Sequence, residues 1–208
     1  MSANENHGLW DRVAERYART AVPNEAVYRR KLAMTQQYLT REMKVFEFGC
    51  GTGTTAIEHA PFVDAITAID VSANMLSIAK KKAEDAGINN INFRQSTIEA
   101  YETTDQNVDC VLALSILHLV SDKEAVLKKV ASLMKPGGVF VSSTACLGEK
   151  LWFFKYIAPI GRFVRLLPML RVFKVKELVQ CFVDAGFDIV EQWEPEKSNT
   201  VFIIAKKR

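Results

Sequence analysis

Hydrophobic residues along the chain recur with two alternating periods, one typical of strands and one typical of helices. Five apolar runs have the length and composition of strands, and helical spacing separates several of them. The runs are Lys44 to Phe48, Ile66 to Ile69, Ile91 to Phe93, Val108 to Leu114 and Val139 to Ser143. Strands that alternate with helices predict a parallel sheet with crossover helices.

Two of the connecting segments carry clear helix signals. The first has apolar residues at helical spacing, with Gly87 as its stop: Leu76, Ala79, Ala83 and Ala86. The second begins at Ser121 and Glu124, which have the spacing of a capping box, and ends at Pro136-Gly137-Gly138. Its predicted inward-facing residues are Val126, Val130 and Leu133.

The end of the chain has a different pattern. A helix is predicted from Leu178 to Ala185, with Gly186 as its cap. Two further strands, Asp188 to Trp193 and Val201 to Ala205, are joined by a short polar loop, which favours an antiparallel hairpin. The whole pattern predicts an α/β fold with a doubly wound, seven-stranded sheet. Most of its strands are parallel, the last is antiparallel, and helices cover both faces.

A glycine-rich turn after the first strand gives the clearest functional signal. The strand contains Glu47 and runs into Gly49-Cys50-Gly51-Thr52-Gly53, and the second strand leads to Asp70. Alternate glycines let the backbone turn sharply and approach a ligand closely. An acid at the tip of the next strand has the spacing of a residue that binds ribose hydroxyls. These features predict a site for a nucleoside-bearing cofactor; packing of a tight turn is the alternative interpretation.

The position of the third glycine separates two classes of cofactor. A nicotinamide fingerprint has that glycine where this chain has Thr54, whereas here it comes one residue earlier, at Gly53. With Glu47 in the strand, the arrangement resembles motif I of the class I S-adenosylmethionine-dependent methyltransferases. The segments 45–53, 68–79 and 134–139 resemble the type 11 branch, which includes ubiquinone and menaquinone biosynthesis methyltransferases. The resemblance implies a Rossmann-like fold, S-adenosylmethionine as cofactor and S-adenosylhomocysteine as product.

The resemblance also implies roles for single residues. Asp70 would hold the ribose, Val71 and Met75 would lie along the adenine, and Thr97 or the backbone of Ile98 would contact the adenine amine, where the family often has an acid. The expected cofactor-binding residues are Glu47, Gly49, Cys50, Gly51, Gly53, Asp70, Val71, Met75, Thr97, Ile98, Leu114 and Tyr17. Two alternatives stay open, because Met75 can be a core residue and Tyr17 can be an aromatic anchor of its helix instead of a contact to the cofactor's carboxylate.

One histidine follows the fourth strand, at the sheet edge where ligands bind in open α/β folds. Similar enzymes carry one or two histidines there; His118 matches the first and Leu119 replaces the second. A neutral imidazole can accept a proton from the methyl acceptor, so His118 is the candidate catalytic residue, with simple packing as the alternative. The sequence has no metal-ligand spacing, and no metal is expected.

Composition restricts the class of protein. The chain has 208 residues, of which 49% are hydrophobic and 25% charged, as expected for one globular domain. Its start is polar and no uncharged apolar run reaches the length of a membrane span, so we expect a cytoplasmic protein. The four cysteines form no CxxC pair, which argues against zinc and disulfides. We expect a helical cap at 1–43, a cofactor-binding core at 44–146, an insertion at 147–176, and a final helix and hairpin at 177–208.

The insertion at 147–176 is both basic and aromatic. It holds seven basic residues and one acid, a net charge of +6, although the whole chain carries only +3. Such a segment serves as a lid over a small, partly hydrophobic acceptor, or as a contact with an anionic membrane for a lipid or quinone methyltransferase. Nucleic acid is not expected because base-stacking and groove-reading motifs are missing. An inactive cofactor-binding module and a nicotinamide-dependent oxidoreductase are the remaining alternatives, and the oligomeric state is not indicated.

Overall fold

The computed structural model describes residues 7–103, 107–146, 171–196 and 198–208. Most of the insertion predicted at 147–176 therefore lies outside the described residues, and only 171–176 can be followed. Among the described residues, no helix has the length and apolar character needed to cross a membrane.

Seven strands form one sheet with the order β3-β2-β1-β4-β5-β7-β6. The strands are β1 Lys44–Phe48, β2 Ala65–Asp70, β3 Ile91–Gln95, β4 Val108–Leu114, β5 Met134–Ala145, β6 Phe187–Trp193 and β7 Thr200–Lys207. Neighbours from β3 to β5 are parallel, whereas β7 is antiparallel to both β5 and β6. The predicted sheet, with its antiparallel last strand, is confirmed. Its strand order reverses between β1 and β4, which leaves a crevice for ligands at the carboxyl ends of these strands.

Six α-helices are described around this sheet. They are α1 His7–Arg19, α2 Glu25–Gln36, α3 Thr54–His59, α4 Ala73–Asp85, α5 Lys123–Leu133 and α6 Val175–Asp184. The sheet has a buried cluster on each face. One includes Phe46, Val111 and Phe140 and packs against α5 and α6, while the other includes Val45, Leu112 and Val141 and packs against α2, α3 and α4. Successive strand residues point to opposite faces, so the two clusters share the same strands.

Several helix and strand boundaries differ from the prediction. The predicted capping box is wrong: the N-cap of α5 is Asp122, whose side chain accepts from the amide of Ala125 at 2.9 Å. Glu124 instead pairs with Lys123. The last helix begins at Val175, three residues before the predicted start. The prediction was late because Lys174, the residue before the helix, makes no side-chain capping hydrogen bond and is not a typical N-cap residue.

The Pro136-Gly137-Gly138 segment does not end a helix, since α5 stops at Leu133 and β5 already begins at Met134. The pairing register of β5 with β4 shifts across this segment. A Cβ built at Gly138 would lie 2.9 Å from the carbonyl oxygen of Lys135 and 3.1 Å from that of Asp109. The glycine therefore allows the close backbone approach that accompanies an irregularity inside a strand.

Candidate active site

A cavity opens at the carboxyl ends of β1, β2 and β4. Its lining comes from the turns after these strands, from the loop after β3 and from α1. The lining residues are Trp10, Tyr17, Phe48, Gly49, Gly51, Asp70, Val71, Met75, Ser96, Thr97, Ile98, Glu99, Leu114, Ser115, Ile116, Leu119 and Val120. Nine of the predicted cofactor residues are among them: Tyr17, Gly49, Gly51, Asp70, Val71, Met75, Thr97, Ile98 and Leu114. The three others, Glu47, Cys50 and Gly53, do not line it.

The three glycines of the turn have different structural roles. All have positive φ, at +68° for Gly49, +55° for Gly51 and +72° for Gly53. A Cβ at Gly49 would lie 2.7 Å from the side chain of Ile116, and one at Gly53 would lie 2.8 Å from the Cβ of Ala79. At Gly51 the nearest atom would be a ring carbon of Tyr17, at 4.0 Å. Packing thus requires two of the glycines, and only Gly51 has open space above it.

Asp70 links the glycine turn to the start of α4. One of its carboxylate oxygens accepts from the amide of Gly51 at 2.8 Å, and the other accepts from the amide of Ser72 at 2.9 Å. Burial raises the pKa of Asp70, and these backbone hydrogen bonds act against that rise. Each carboxylate oxygen has further acceptor capacity beyond one amide, and the residue lines the cavity. Asp70 is therefore placed to bind a ligand and to hold the turn.

Glu47 lies behind the turn instead of in the cavity. Its side chain is buried, and Oε2 has no hydrogen-bond partner among the described residues. Burial, with a smaller contribution from the charge of Asp70, raises the pKa of Glu47 to about 8. Glu47 is therefore largely protonated at pH 7. Cys50 is buried beside it, and its amide donates to the carbonyl of Ile69 at 3.1 Å.

The loop after β3 forms a further wall of the cavity. The hydroxyl oxygen of Thr97 accepts from the amide of Ala100 at 3.0 Å, which forms a turn and leaves the hydroxyl hydrogen available. Ile98 is buried between this turn and the sheet. Glu99, which was not among the predicted site residues, also lines the cavity, two residues after Thr97. The sequence indicated Glu99 only by its closeness to Thr97, the position where the family often has an acid.

Helix α1 closes another side of the cavity with Trp10 and Tyr17, whose ring centroids lie 6.4 Å apart at an interplanar angle of 88°. Asp11 fixes this helix to α4. One of its carboxylate oxygens accepts from the Ser72 hydroxyl at 2.6 Å and from the Asn74 amide at 3.2 Å. Nothing in the sequence pattern singles out Asp11, because its partners lie more than 60 residues away.

His118 lies in the turn after β4 but is not one of the described residues that line the cavity. Burial lowers its pKa to about 4, so the ring is neutral at pH 7, and Nδ1 is buried without a partner in the described part of the chain. Its carbonyl accepts from the amide of Arg171 at 2.8 Å. The lining comes instead from the flanking Ile116, Leu119 and Val120. Proton acceptance by His118 stays a prediction.

Ser115 is the only non-glycine residue with positive φ among those described, at +59°. It follows β4 directly, lines the cavity, and donates its amide to the carbonyl of Ser143 at 2.7 Å. A left-handed conformation costs about 1–2 kcal/mol for a residue with a Cβ, and such strain is concentrated at functional sites. This conformation of Ser115 could not be predicted from the sequence, since serine has no special preference for this region.

Comparison with known proteins places these features in a family. Residues 39–166 match a family model described as a methyltransferase domain. The uncharacterized methyltransferase YcgJ of Bacillus subtilis is 29% identical over 100 residues, which are 48% of this chain and 40% of that protein. A ubiquinone biosynthesis O-methyltransferase of Methylocella silvestris is 31% identical over 102 residues, 49% of this chain and 40% of the relative. The chain spans about half the length of the curated relatives that it matches, or less.

Solved structures agree with this assignment of the fold. The crystal structure of YcgJ superposes with a TM-score of 0.73 at 17% identity, over 86% of this chain and 99% of that one. The [4+2]-cyclase SpnF superposes with a TM-score of 0.79 at 15% identity, over 99% of this chain and 96% of that one. At these identities the likeness shows the fold alone. The domain match covers more than half of the residues, and with it the chain belongs to the S-adenosylmethionine-dependent methyltransferase family.

Proposed function

We propose that the protein transfers the methyl group of S-adenosylmethionine to a small, partly hydrophobic acceptor. The cavity above the glycine turn carries this proposal. Asp70 and the open side of Gly51 lie at one part of it, while the last residue of β4 and the loop that follows supply an apolar wall. That wall consists of Leu114, Ile116, Leu119 and Val120. A polar cofactor site that adjoins an apolar surface suits an acceptor with apolar parts.

The residues present fit the cofactor. Asp70 has acceptor capacity for the ribose hydroxyls, and the apolar side chains of Val71, Met75 and Ile98 suit the faces of an adenine ring. Glu99 and Thr97 offer oxygens for the adenine amine, so the carboxylate missing at position 97 has a substitute in the same turn. Gly51 keeps the backbone side of the cavity open, since its nearest neighbour would be 4.0 Å from a Cβ.

In the proposed reaction, the positioning of the acceptor contributes more than proton transfer. When bound, S-adenosylmethionine supplies a methyl group that its sulfonium already activates. The protein's task is then to orient an acceptor and exclude water, and orientation of this kind is worth about 7 to 11 kcal/mol. A neutral His118 outside the cavity lining agrees with a mechanism in which the acceptor presents a lone pair directly.

The described end of the insertion supports a role in selecting the acceptor. Arg171 donates its amide to His118 and its guanidinium to the carbonyl of Ser121 at 2.7 Å. Phe173 is buried next to it, with the ammonium of Lys123 at 5.3 Å from its ring centroid. These contacts fasten the end of the insertion to the loop that forms the apolar wall. Membrane contact through 147–170 stays a prediction, as those residues lie outside the described ones.

Calorimetric titration with S-adenosylmethionine and with NAD is the first test. We expect saturable binding of S-adenosylmethionine and S-adenosylhomocysteine, no binding of NAD, and strongly weakened cofactor binding by a Gly51→Val variant. The second test is the transfer of labelled methyl groups from the cofactor to small molecules of a cell extract. Binding of NAD instead of S-adenosylmethionine would contradict the proposal and favour the oxidoreductase.

One observation favours a second candidate, an inactive cofactor-binding module. The fold is shared with a [4+2]-cyclase, so the fold alone does not define methyl transfer. Cofactor binding without transfer to any extract fraction would support this candidate over the first.

A further inference from the structure

A group of polar side chains faces the carboxyl end of β5 from α2, outside the residues assigned to the cofactor. The ammonium of Lys31 donates to the hydroxyl of Ser143 at 2.8 Å. Lys31 is half-buried, and burial lowers its pKa. Among the described residues its ammonium forms no ion pair. A half-buried cation with only a neutral hydroxyl as its partner is poorly compensated, because the charge has lost water without gaining an anion.

Tyr28 lies one helical turn before Lys31. Its buried hydroxyl is near the Thr55 side chain but makes no hydrogen bond of good geometry in the described part of the chain. Burial raises the pKa of Tyr28, the Thr55 side chain acts against that rise, and the nearby acids Glu58 and Glu47 raise it further. Buried polar atoms without partners are uncommon in proteins and call for an explanation. Two neighbouring residues of α2 thus hold polar groups with unused capacity.

The sheet register places the partner of Lys31 next to the cavity. Glu47 pairs with Leu112, and Leu112 pairs with Val141, so Ser143 points to the same face as Glu47. Ser143 pairs with Leu114, and its carbonyl accepts the amide of Ser115. Leu114 and Ser115 both line the cavity. The Lys31 ammonium, which donates to the Ser143 side chain, therefore lies beside the strand ends that lead into the apolar wall.

We propose that Lys31 determines which acceptors are used, by binding an anionic oxygen of the acceptor, with the Tyr28 hydroxyl as a second donor. The acceptor is then an organic acid, either a carboxylate or an ionised aromatic hydroxyl, with an apolar body that contacts the wall after β4. The inference rests on the proposed function, which places the acceptor at this side of the cavity. The ammonium of Lys31 gains the counter-charge that the described residues do not provide.

Paired probes test the charge preference directly. Benzoate and benzamide have similar shapes and differ in charge, and their binding to the full chain saturated with S-adenosylhomocysteine can be measured by calorimetry. We expect the wild type to prefer benzoate by about ten- to a hundredfold, as one charge-assisted hydrogen bond would give. Lys31→Met should abolish this preference, and Lys31→Arg should keep part of it.

Arg30→Met is the matched control. It removes one cation from the next position of the same helix, where the Arg30 guanidinium lies 4.0 Å from the Trp193 ring centroid on the exposed surface. This variant should keep the benzoate preference of the wild type. Equal binding of both probes by the wild type, binding of neither, or the same preference in Lys31→Met would overturn the proposal.

The affinity for S-adenosylhomocysteine shows whether the anion that Lys31 binds belongs to the acceptor or to the cofactor. We expect Lys31→Met to leave it unchanged. A tenfold loss would assign Lys31 to the cofactor's own carboxylate and overturn the proposal. Failure of the wild type to bind S-adenosylhomocysteine would contradict the proposed function instead. The two probes are then compared on the free protein, and that comparison still decides the role of Lys31.

Discussion

Replacing single glycines of the turn by alanine should separate ligand binding from folding. At Gly51 an added Cβ meets nothing closer than the ring of Tyr17, at 4.0 Å, so the main folding cost is an alanine at φ +55°. We expect Gly51→Ala to reduce the free energy of unfolding by about 1–2 kcal/mol. The new methyl group also enters the cavity where the cofactor is proposed to approach the backbone. Cofactor affinity should therefore fall by at least about tenfold.

Gly53→Ala is the contrasting variant. Its φ is similar, at +72°, but the Cβ would lie 2.8 Å from the Cβ of Ala79 and 3.1 Å from the ring of Phe93. Alanine has no rotamer that could move away, so an overpacking cost of about 1–3 kcal/mol adds to the conformational cost. We expect Gly53→Ala to lose about 2–5 kcal/mol of stability in total, and to bind the cofactor nearly normally once folded.

Urea unfolding gives the stability of both variants, and calorimetry with S-adenosylhomocysteine gives their affinities. The reasoning requires opposite rankings in the two assays: Gly53→Ala is the less stable variant, and Gly51→Ala is the weaker binder. If Gly51→Ala is as unstable as Gly53→Ala, the space above Gly51 is not open. If it binds the ligand like the wild type, the cofactor does not approach this part of the backbone.

Three further variants test the acids and a buried histidine. Asp70→Ala should lower cofactor affinity about ten- to a hundredfold in calorimetry, and should also lower stability in urea because two backbone amides lose their acceptor. Burial raises the pKa of Glu47 from its usual 4.5 to about 8, so Glu47 contributes stability below pH 4.5 that is lost as the pH rises toward 8; Glu47→Gln should raise the free energy of unfolding at pH 7 by up to about 3 kcal/mol in urea titrations. Burial lowers the pKa of His59 from 6.5 to about 4, so the unfolded chain binds the extra proton between these values, and His59 should contribute a rise of stability with pH of about 1.4 kcal/mol per pH unit across this window. His118 contributes a rise of the same sign and Glu47 opposes both, so the test is the difference between variants: His59→Gln should lower the slope of the wild type by about 1.4 kcal/mol per pH unit, and an unchanged slope would refute the contribution of His59.

The sheet could be predicted because its signals are local. Strand β1 and strand β4 were given with their observed bounds, since each is an apolar run between clear breaks. The start of β5 was missed, because Pro136-Gly137-Gly138 has the composition of a loop. Only the pairing with β4 and the backbone approach at Gly138 keep this segment in the strand. The start of α5 was misplaced by one residue because Ser121, Asp122 and Glu124 offered two competing caps of similar strength.

The residues of the candidate site also differ in how far the local sequence could predict their positions. Five of the predicted cofactor-binding residues line the cavity and come from one short stretch of the chain, from the end of β1 to the first turn of α4: Gly49, Gly51, Asp70, Val71 and Met75. Their binding of the cofactor stays a prediction. Glu47 and Gly53 share the motif but lie behind the turn. The spacing of these residues in the sequence does not distinguish those that line the cavity from those that lie behind the turn. The difference depends on which side of the turn faces Ala79 and which side faces open space.

The proposed acceptor side of the cavity is surrounded by contacts between distant parts of the chain, and for this reason its chemistry could not be predicted from the sequence. Lys31 reaches Ser143 across 112 positions, and Arg171 reaches Ser121 across 50. No local pattern marks such pairs, since each residue alone is an ordinary helix or loop residue. A cofactor shared by a whole family can be bound by one contiguous motif, whereas an acceptor specific to one enzyme is bound where several elements meet. The charge at Lys31 and the apolar wall at the end of β4 are therefore the features from which the proposed acceptor should be sought.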